Sequence, residues 1–459
     1  MADASQVKTM IPPFAIGRLP RIEFGAGRLA TLPALAGAYG RRLLILTGGR
    51  SLAASPHWAG LAAALKAAGF AYAVLCIRGE PSPEEIDAIV REQRDGRWDL
   101  VVGIGGGSVL DGAKAVAGLL KPGNSVMDHL EGVGPELPYR GPATPFIAVP
   151  TTAGTGAEAT KNAVLTRQGA DGFKKSFRDE ALMAEYAIVD PDLLASCPPD
   201  LIAANGMDAL TQLLEAYLSV RANPLTDALA LAGLAAVRDG LPAWYQGGAE
   251  SVAGRERMAL AALLSGICLA QTGLGSVHGL AQPLGSLFPI PHGVVCGTLV
   301  AAATQVNIEA LREREPDSPA LAKYATLGRL LAGQPPARAA GCADVAAGIA
   351  AGLHAGVAAD MTSGIVADGA TGAADDAVAD LAAQENLLET LQAWTRLLRL
   401  PTLDRLGVTA ADFPPIIAAS RNSSMKTNPL VLTDAEIERI LALRLSASPI
   451  DVSPVASRA

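Results

Sequence analysis

The chain has 459 residues, more than one hydrophobic core usually accommodates, which favours two domains. Half of the residues are hydrophobic and only 18% are charged, against about 25% in an average globular protein, which argues against disorder. The low charge favours contacts between subunits, and we expect a homo-oligomer, most simply a dimer. The net charge of −8, without a block of five basic residues, argues against nucleic acid as a partner.

Cysteine spacing and hydropathy bear on the location of the protein. The cysteines have no CxxC spacing, which argues against a zinc ribbon or a disulfide framework and fits a reducing compartment; they are Cys76, Cys197, Cys268, Cys296 and Cys342. The N-terminal segment lacks a basic region followed by an apolar one, so we expect no secretory signal and a cytoplasmic protein. Residues 258–308 lack Asp, Glu, Lys and Arg, but interrupting glycines and prolines predict a buried helix and a loop, not a membrane span.

Short apolar runs alternate with helical patterns over residues 20–195. The runs are LLILT (43–47), AYAVLCI (71–77), DLVVGIGG (99–106), FIAVPTT (146–152) and YAIVD (186–190). Such alternation predicts βαβ units around a parallel sheet. Beyond residue 195 the residue pattern changes to Ala/Leu-rich segments, which predict helices without strands. These segments are 204–220, 225–245, 252–271 and 386–400. The predicted fold is therefore an α/β N-terminal half followed by an all-α C-terminal half, with the Ala-rich residues 337–384 as helix and loop.

A glycine turn, Gly105-Gly106-Gly107-Ser108, follows the third predicted strand directly. A strand that runs into glycines and then a helix can present bare backbone N–H groups to an anion such as a pyrophosphate. The turn completes neither G-x-G-x-x-G nor a P-loop, and Ser108 and Asp111 have the spacing of a capping box that needs no ligand. A second small-residue segment, PTTAGTGAEAT (150–160), follows the next strand, and paired loops at strand ends are where doubly wound sheets bind ligands.

Six motifs, in this order, resemble the iron-containing (group III) alcohol dehydrogenase family, within the superfamily of glycerol dehydrogenase and dehydroquinate synthase. The motifs are GGGSVLDGAK, PTTAGTGAEAT, AIVDPDLLASCPP, NGMDALTQLLEAYLS, SVHGLAQPLGSLFPIPHG and RNSSMKTNP. The resemblance spans nearly the whole chain. It implies an α/β dinucleotide-binding domain, here residues 1–195, an all-helical catalytic domain, residues 196–445, and an active site between them; we expect residues 446–459 to form a frayed tail.

The resemblance also implies a nicotinamide cofactor and its contacts. The pyrophosphate is assigned to the glycine turn with Asp111 close behind it, and the nicotinamide end to Thr151, Thr152 and Thr155. NAD-preferring members carry an aspartate where this chain has Gly48. Because loss of that carboxylate removes repulsion against a 2′-phosphate and Arg50 could supply a cation, we expect NADP rather than NAD. The alternative is that Arg50 is a solvated loop residue.

The family's divalent metal, iron or zinc, is held by an Asp and a His four residues apart on one helix and by two further histidines. The chain keeps Asp208, His278 and His292, but the helix partner is Gln212. A histidine that the family places near the nicotinamide is replaced by Gln282. Because an amide is a far weaker donor than imidazole and does not titrate near neutral pH, we expect a weakened or absent metal site. The other histidines, His57, His129 and His354, lie outside the motifs.

The implied reaction is hydride transfer between the nicotinamide and an alcohol, aldehyde or ketone. With the metal absent, His278 or His292 is the candidate proton donor, and Gln282 completes the candidate catalytic residues. Lys174, Lys175 and Arg178 form a basic cluster that could reach an anionic substrate, although a solvated hairpin is the favoured explanation. Two alternatives stay open: a carbon–oxygen lyase of the dehydroquinate synthase type, and a catalytically silent cofactor-binding protein.

Overall fold

A computed structural model describes residues 11–49, 52–169, 172–334 and 372–446 of the chain. Arg50, His354, Cys342 and most of the Ala-rich segment lie outside the described residues. The predicted frayed tail also lies outside them, except for Ser446. Predictions that concern these parts of the chain therefore stay predictions.

The N-terminal half contains one six-stranded parallel sheet with the strand order β1-β8-β5-β4-β2-β3. The strands are β1 (Arg21–Phe24), β2 (Arg42–Thr47), β3 (Ala71–Cys76), β4 (Leu100–Gly105), β5 (Phe146–Pro150) and β8 (Tyr186–Val189). The five strands predicted from apolar runs are confirmed. The prediction missed β1, a four-residue edge strand that pairs only with β8 and alternates too little to be recognised.

Helices cover both faces of this sheet, which explains why its inner strands are continuously apolar. They are α1 (Leu32–Ala36), α2 (Pro56–Ala67), α3 (Pro83–Gln93) and α4 (Gly107–Leu119). Along β2, Leu43 and Ile45 enter one hydrophobic core, whereas Leu44 and Leu46 enter the other. Two hydrophobic cores, one on each face, therefore hold the sheet between helical layers.

A two-stranded antiparallel hairpin lies outside the main sheet. It consists of β6 (Asn162–Arg167) and β7 (Phe173–Arg178), with Asn162 opposite Arg178. The basic cluster predicted from the sequence lies on β7. The hairpin packs against the helical half of the chain as well as against α4.

Described residues after Pro199 form helices and no strand. The helices are α5 (Pro199–Leu218), α6 (Pro224–Gly247), α7 (Val252–Thr272), α8 (Ser276–Leu287), α9 (His292–Arg314), α10 (Pro319–Leu331), α11 (Gly372–Leu397), α12 (Phe413–Ala419) and α13 (Asp434–Leu445). The predicted fold class, a parallel α/β half followed by an all-helical half, is confirmed. The domain boundary near residue 195 stays a prediction, and it falls between the end of β8 and the start of α5.

Helix α9 is long and apolar enough to cross a membrane by length and composition alone. Within its most apolar window, 83% is buried inside the structure, as in the core helix of a globular protein. Helices α7 and α8 would pass the same test as one unit, but a bend of 99° separates them. Residues 258–308 are thus buried as predicted, but the predicted loop is wrong: α8 and the start of α9 occupy it, and Pro283 is accommodated inside α8.

Two glycine contacts join the halves closely. A Cβ at Gly266 on α7 would lie 2.0 Å from the carbonyl oxygen of Gly156, and a Cβ at Gly154 would lie 2.7 Å from the Asn205 side chain on α5. Only glycine allows backbones to approach this closely. The segment after β5 is thus pressed against the helical half.

Candidate cofactor and active site

The glycine turn lies at the carboxyl edge of the sheet, beside the end of β2. Strand β2 pairs with β3 on one side and with β4 on the other. Successive strands are therefore added toward one edge of the sheet up to β3 and toward the opposite edge from β4 onward. A crevice at such a reversal is where open α/β sheets bind ligands. Gly48 follows β2 there, and its Cβ would lie 3.5 Å from Val109, so the position is open to small side chains.

Helix α4 starts at Gly107 without any side-chain cap. Its N-cap residue is Gly106, and Ser108 lies inside the first turn, so the capping box predicted from Ser108 and Asp111 is wrong. The physical reason is the extended backbone of Gly106, which places the N-cap two residues before Ser108. The first N–H groups of α4 are consequently left without a side-chain acceptor, at the end of the helix that attracts anions.

The threonine loop, residues 151–160, lies directly against the glycine turn. The backbone N–H of Thr151 donates to the carbonyl oxygen of Gly105 over 3.0 Å. A Cβ at Gly106 would lie 3.2 Å from Thr152 Oγ1, and one at Gly107 would lie 2.6 Å from Thr155 Oγ1. The structure thus brings together the two loops that the sequence singled out, and the glycines are required by their contact.

Asp111 points away from this surface into the protein. Its carboxylate lies 3.3 Å from Lys114 Nζ, which is fully buried and also donates to Thr160 Oγ1 and to the carbonyl oxygen of Asn162. Burial raises the pKa of Asp111 despite the attraction of Lys114. Asp111 therefore supports α4 from behind, and its predicted contact with the cofactor stays a prediction.

A second group of residues, the polar cluster, lies within the helical half. It consists of Asp208 on α5, His278 on α8, and His292 and Cys296 on α9. One ligand atom from each lies within 4.8 Å of the others. Asp208 Oδ1 is 3.3 Å from His278 Nε2 and 3.7 Å from His292 Nε2. The three retained motif residues therefore converge as predicted, although they come from three helices.

Glu215 orients His278 from outside the cluster. Its carboxylate accepts a hydrogen bond from His278 Nδ1 over 2.6 Å and caps α8 by accepting from the N–H groups of Gly275 and Val277. Nε2 of His278 consequently faces the interior of the cluster. A carboxylate behind a ligating histidine fixes the ring in this way at many metal sites.

The cluster is closed on most sides and open near one residue. The side chains of Asp208 and His278 are 1% and 5% exposed, whereas that of His292 is 26% exposed. Burial lowers the pKa of His292 to about 4, which keeps the imidazole neutral, as a metal ligand must be. Although burial alone would raise it, His292 and His278 lower the pKa of Asp208, which stays a carboxylate.

Both glutamines that replace family histidines are engaged elsewhere. Gln212 is buried, and its Oε1 accepts a hydrogen bond from Ser265 over 2.9 Å. Ser265 Oγ also lies 3.3 Å from the carbonyl oxygen of Gly154, which links the threonine loop to the helix of Asp208. Gln282 donates from Nε2 to the carbonyl oxygen of Lys174 over 2.5 Å. The predicted metal role of Gln212 and catalytic role of Gln282 stay predictions.

Sequence reasoning missed Cys296 and Glu215. It looked for a substitute ligand only among the histidines, and of these His57 and His129 lie elsewhere while His354 is outside the described residues. The available signal was spacing. Cys296 follows His292 by four residues, one helical turn, and Glu215 follows Asp208 by seven, two turns, so each pair shares a helical face.

The basic cluster on β7 is paired with carboxylates. Lys174 Nζ lies 2.6 Å from Glu80 Oε1, and Arg178 lies 3.4 Å from Glu131. A second oxygen of Glu80 accepts from Thr166 on the neighbouring strand. The hairpin predicted as the alternative is present, and its strongest candidate for an anionic substrate, Lys174, already has a counterion.

Two family models match almost the whole chain. The model described as iron-containing alcohol dehydrogenase matches residues 20–191, and the model described as Fe-containing alcohol dehydrogenase family, C-terminal, matches residues 202–445. The first match contains both loops at the sheet edge, and the second contains the polar cluster.

Individual relatives agree with these matches. The chain is 36% identical over 257 residues to the probable alcohol dehydrogenase EutG of Escherichia coli, covering 56% of this chain and 64% of that protein. It is 34% identical over 235 residues to the NAD-dependent methanol dehydrogenase of Bacillus methanolicus, covering 51% and 60%. The matched segments thus span less than two thirds of either relative.

The fold resembles that of a solved 1,3-propanediol oxidoreductase, with a TM-score of 0.76, 24% identity, and coverage of 94% of this chain and all of that one. This structure supports the fold alone, because the identity is low. The family itself is shown by the two model matches. The chain belongs to the iron-containing alcohol dehydrogenase family.

Proposed function

We propose that the chain is a nicotinamide-dependent oxidoreductase that transfers a hydride between the nicotinamide and an alcohol, aldehyde or ketone. One observation carries the proposal. The uncapped start of α4 and the threonine loop form an anion-binding edge that is joined, through Ser265, to the helix carrying Asp208. A dinucleotide on the glycine turn can therefore extend toward the polar cluster. Family membership supports the same activity.

The chain's own residues have separate tasks in this reaction. Backbone N–H groups of the glycine turn bind the pyrophosphate, and the threonine loop orients the nicotinamide end of the cofactor. The partly exposed edge of His292 is where substrate oxygen can approach the cluster. The buried walls around Asp208 and His278 exclude water from that oxygen.

Asp208, His278 and His292 fit a divalent ion such as iron or zinc, because they supply one carboxylate and two inward-facing imidazole nitrogens. Such an ion, when bound, stabilises the developing alkoxide as a Lewis acid. Glu215 would keep the His278 proton at Nδ1, so that Nε2, which faces Asp208, is the nitrogen available to an ion. We expect a site weaker than the full family set, because Gln212 supplies no imidazole.

The cofactor preferred by this chain is proposed to be NADP. Gly48 places no carboxylate at the end of β2 that would repel a 2′-phosphate. The relative from Bacillus methanolicus is described as NAD-dependent. A preference for NADP would therefore distinguish this chain from that relative. Three further expectations stay predictions: an anionic substrate, dimer formation and a cytoplasmic location. Lys174 gives little support to an anionic substrate, because Glu80 already pairs with it.

The test is oxidation of NADPH and NADH by the purified chain with a panel of aldehydes and ketones. We expect substrate-dependent loss of reduced-nicotinamide absorbance. A lyase of the dehydroquinate synthase type would give no net change in this absorbance, and a silent binding protein would bind NADPH without turnover on any substrate. Either result contradicts the proposed function.

A Gly48→Asp variant tests the cofactor preference. A Cβ at this position meets Val109 at 3.5 Å, an ordinary contact distance, so the fold is expected to tolerate the change. Its carboxylate should lower kcat/KM for NADPH relative to NADH by about tenfold, the cost of placing one like charge near the 2′-phosphate. Gly49→Ala, with no neighbour within 4 Å, is the control. A parent chain that prefers NADH would contradict the preference for NADP.

A further inference from the structure

Cys296 occupies the place in the polar cluster that a fourth metal donor requires. It is fully buried, and its Sγ lies 3.6 Å from His278 Nε2 and 3.8 Å from His292 Nε2. As the residue one turn after His292 on α9, it shares that residue's helical face. Its sulfur therefore faces the same point as the two imidazoles and the carboxylate of Asp208.

The spacing of these atoms matches a four-coordinate metal. Bonds of about 2.0–2.2 Å to nitrogen and oxygen and about 2.3 Å to sulfur, at tetrahedral angles, separate the donor atoms by about 3.3–3.6 Å. Of the six separations, two are 3.3 and 3.7 Å from Asp208 to the imidazoles, two are 3.6 and 3.8 Å from Cys296 to them, and all lie within 4.8 Å. The four donors need only draw closer around an ion to reach tetrahedral spacing.

We propose that Cys296, and not Gln212, is the fourth donor, so that the chain holds zinc in a set of Asp208, His278, His292 and Cys296. Gln212 is turned toward Ser265, which leaves its helical turn without a donor to the cluster. This inference rests on the proposed function, because it names the metal-binding residues of the same site. With Cys296 as the fourth donor, we expect the site to bind metal with altered selectivity and not simply more weakly.

The chemistry of the set favours zinc over harder ions. A thiolate is a soft ligand, which zinc and cobalt accept readily and manganese and magnesium do not. Thiolate and carboxylate together carry two negative charges, which balance one divalent ion in a buried position where an unpaired charge is costly. Replacing imidazole by thiolate therefore keeps the number of donors and shifts the selectivity.

Cobalt substitution tests the proposal directly. The full chain is stripped with a chelator and titrated with Co²⁺, and absorbance is recorded alongside zinc and manganese affinities. We expect one cobalt per chain and a near-ultraviolet thiolate-to-cobalt charge-transfer band. Cys296→Ser should abolish the band and weaken zinc binding by at least the roughly 10–100-fold that loss of an outer partner costs. Manganese affinity should change much less.

The chain offers matched controls. Cys268→Ser removes another buried cysteine, on α7, whose Sγ contacts the Thr226 carbonyl, and Gln212→Ala removes the rejected donor. Both should keep the band. If Cys296→Ser does not fold, a chain in which the other four cysteines are serine must still show the band. Absence of the band in the parent chain, or its survival in folded Cys296→Ser, overturns the proposal.

Failure of this inference is distinguishable from failure of the proposed function. NADPH oxidation by a chain without the charge-transfer band would keep the oxidoreductase and reject Cys296 as a ligand. The band in a chain that oxidises no reduced nicotinamide would keep Cys296 as a ligand and reject the oxidoreductase.

Discussion

The glycine turn and the polar cluster are built from different parts of the polypeptide. At the turn, the groups that would face a ligand are backbone N–H donors, and side chains must be absent because a Cβ at Gly107 would meet Thr155. In the polar cluster, the groups that would face a ligand are side chains from three helices, and the backbone only places them. The turn is specified by consecutive residues, whereas the cluster depends on the packing of α5, α8 and α9.

This difference determines how each region tolerates change. A site made of backbone has no substitute for its glycines, because any side chain there occupies the space of its neighbour. A site made of side chains can lose one donor and gain another from a different helix, as the engagement of Gln212 and the position of Cys296 suggest. We therefore expect substitutions in the two regions to act separately.

Gly107→Ala should have the largest effect. Its Cβ would lie 2.6 Å from Thr155 Oγ1, so either the loop moves or the start of α4 does. Loss of two charge-assisted hydrogen bonds to the pyrophosphate, each worth about 1.5 kcal/mol, predicts an NADPH affinity about 100-fold lower in a fluorescence titration. Gly60→Ala in α2, with open space around it, should change nothing. If Gly107→Ala also lost metal binding, the expectation that the two regions respond separately to substitution would be wrong.

Glu215→Gln is the corresponding change behind the polar cluster, with a smaller expected effect. The amide retains the shape but no longer holds His278 Nδ1 by a charge-assisted bond, now 2.6 Å long. Zinc affinity should fall about tenfold, toward the low end of the cost of losing an outer partner. NADPH affinity should stay unchanged, and the exposed Glu250→Gln serves as control. Equal zinc affinity in both variants would show that Glu215 only caps α8.

The same contrast explains how far sequence reasoning reached. The strands were predictable because LLILT and DLVVGIGG are buried on both faces, and the pyrophosphate turn because its glycines are contiguous. Cys296 was not predictable by matching positions to a family, because the proposed fourth donor lies on α9, whereas the family motif places its donor on α5. The predicted capping box is wrong because Gly106, and not Ser108, is the N-cap residue of α4, although Ser108 and Asp111 have the spacing of such a box.

Glu158 lies in the threonine loop, between the two regions, and should show the smallest effect. It is 2% exposed, and burial raises its pKa to about 7. Because the folded chain binds this proton more tightly than the unfolded chain, whose value is 4.5, stability falls as pH rises from that value through about 7. Between pH 6 and 8 the loss amounts to about 1 kcal/mol.

Glu158→Gln removes this titration while keeping the size of the side chain. The free energy of unfolding of the variant, measured in urea, should therefore rise relative to the parent by about 1 kcal/mol between pH 6 and 8. Glu250→Gln should leave the pH dependence of the parent intact. A Glu158→Gln variant with the parent's slope would mean that Lys114, which lies near this carboxylate, keeps it ionised. The loop would then carry a buried ion pair, and its charge as well as its glycines would fix how the cofactor edge meets the helical half.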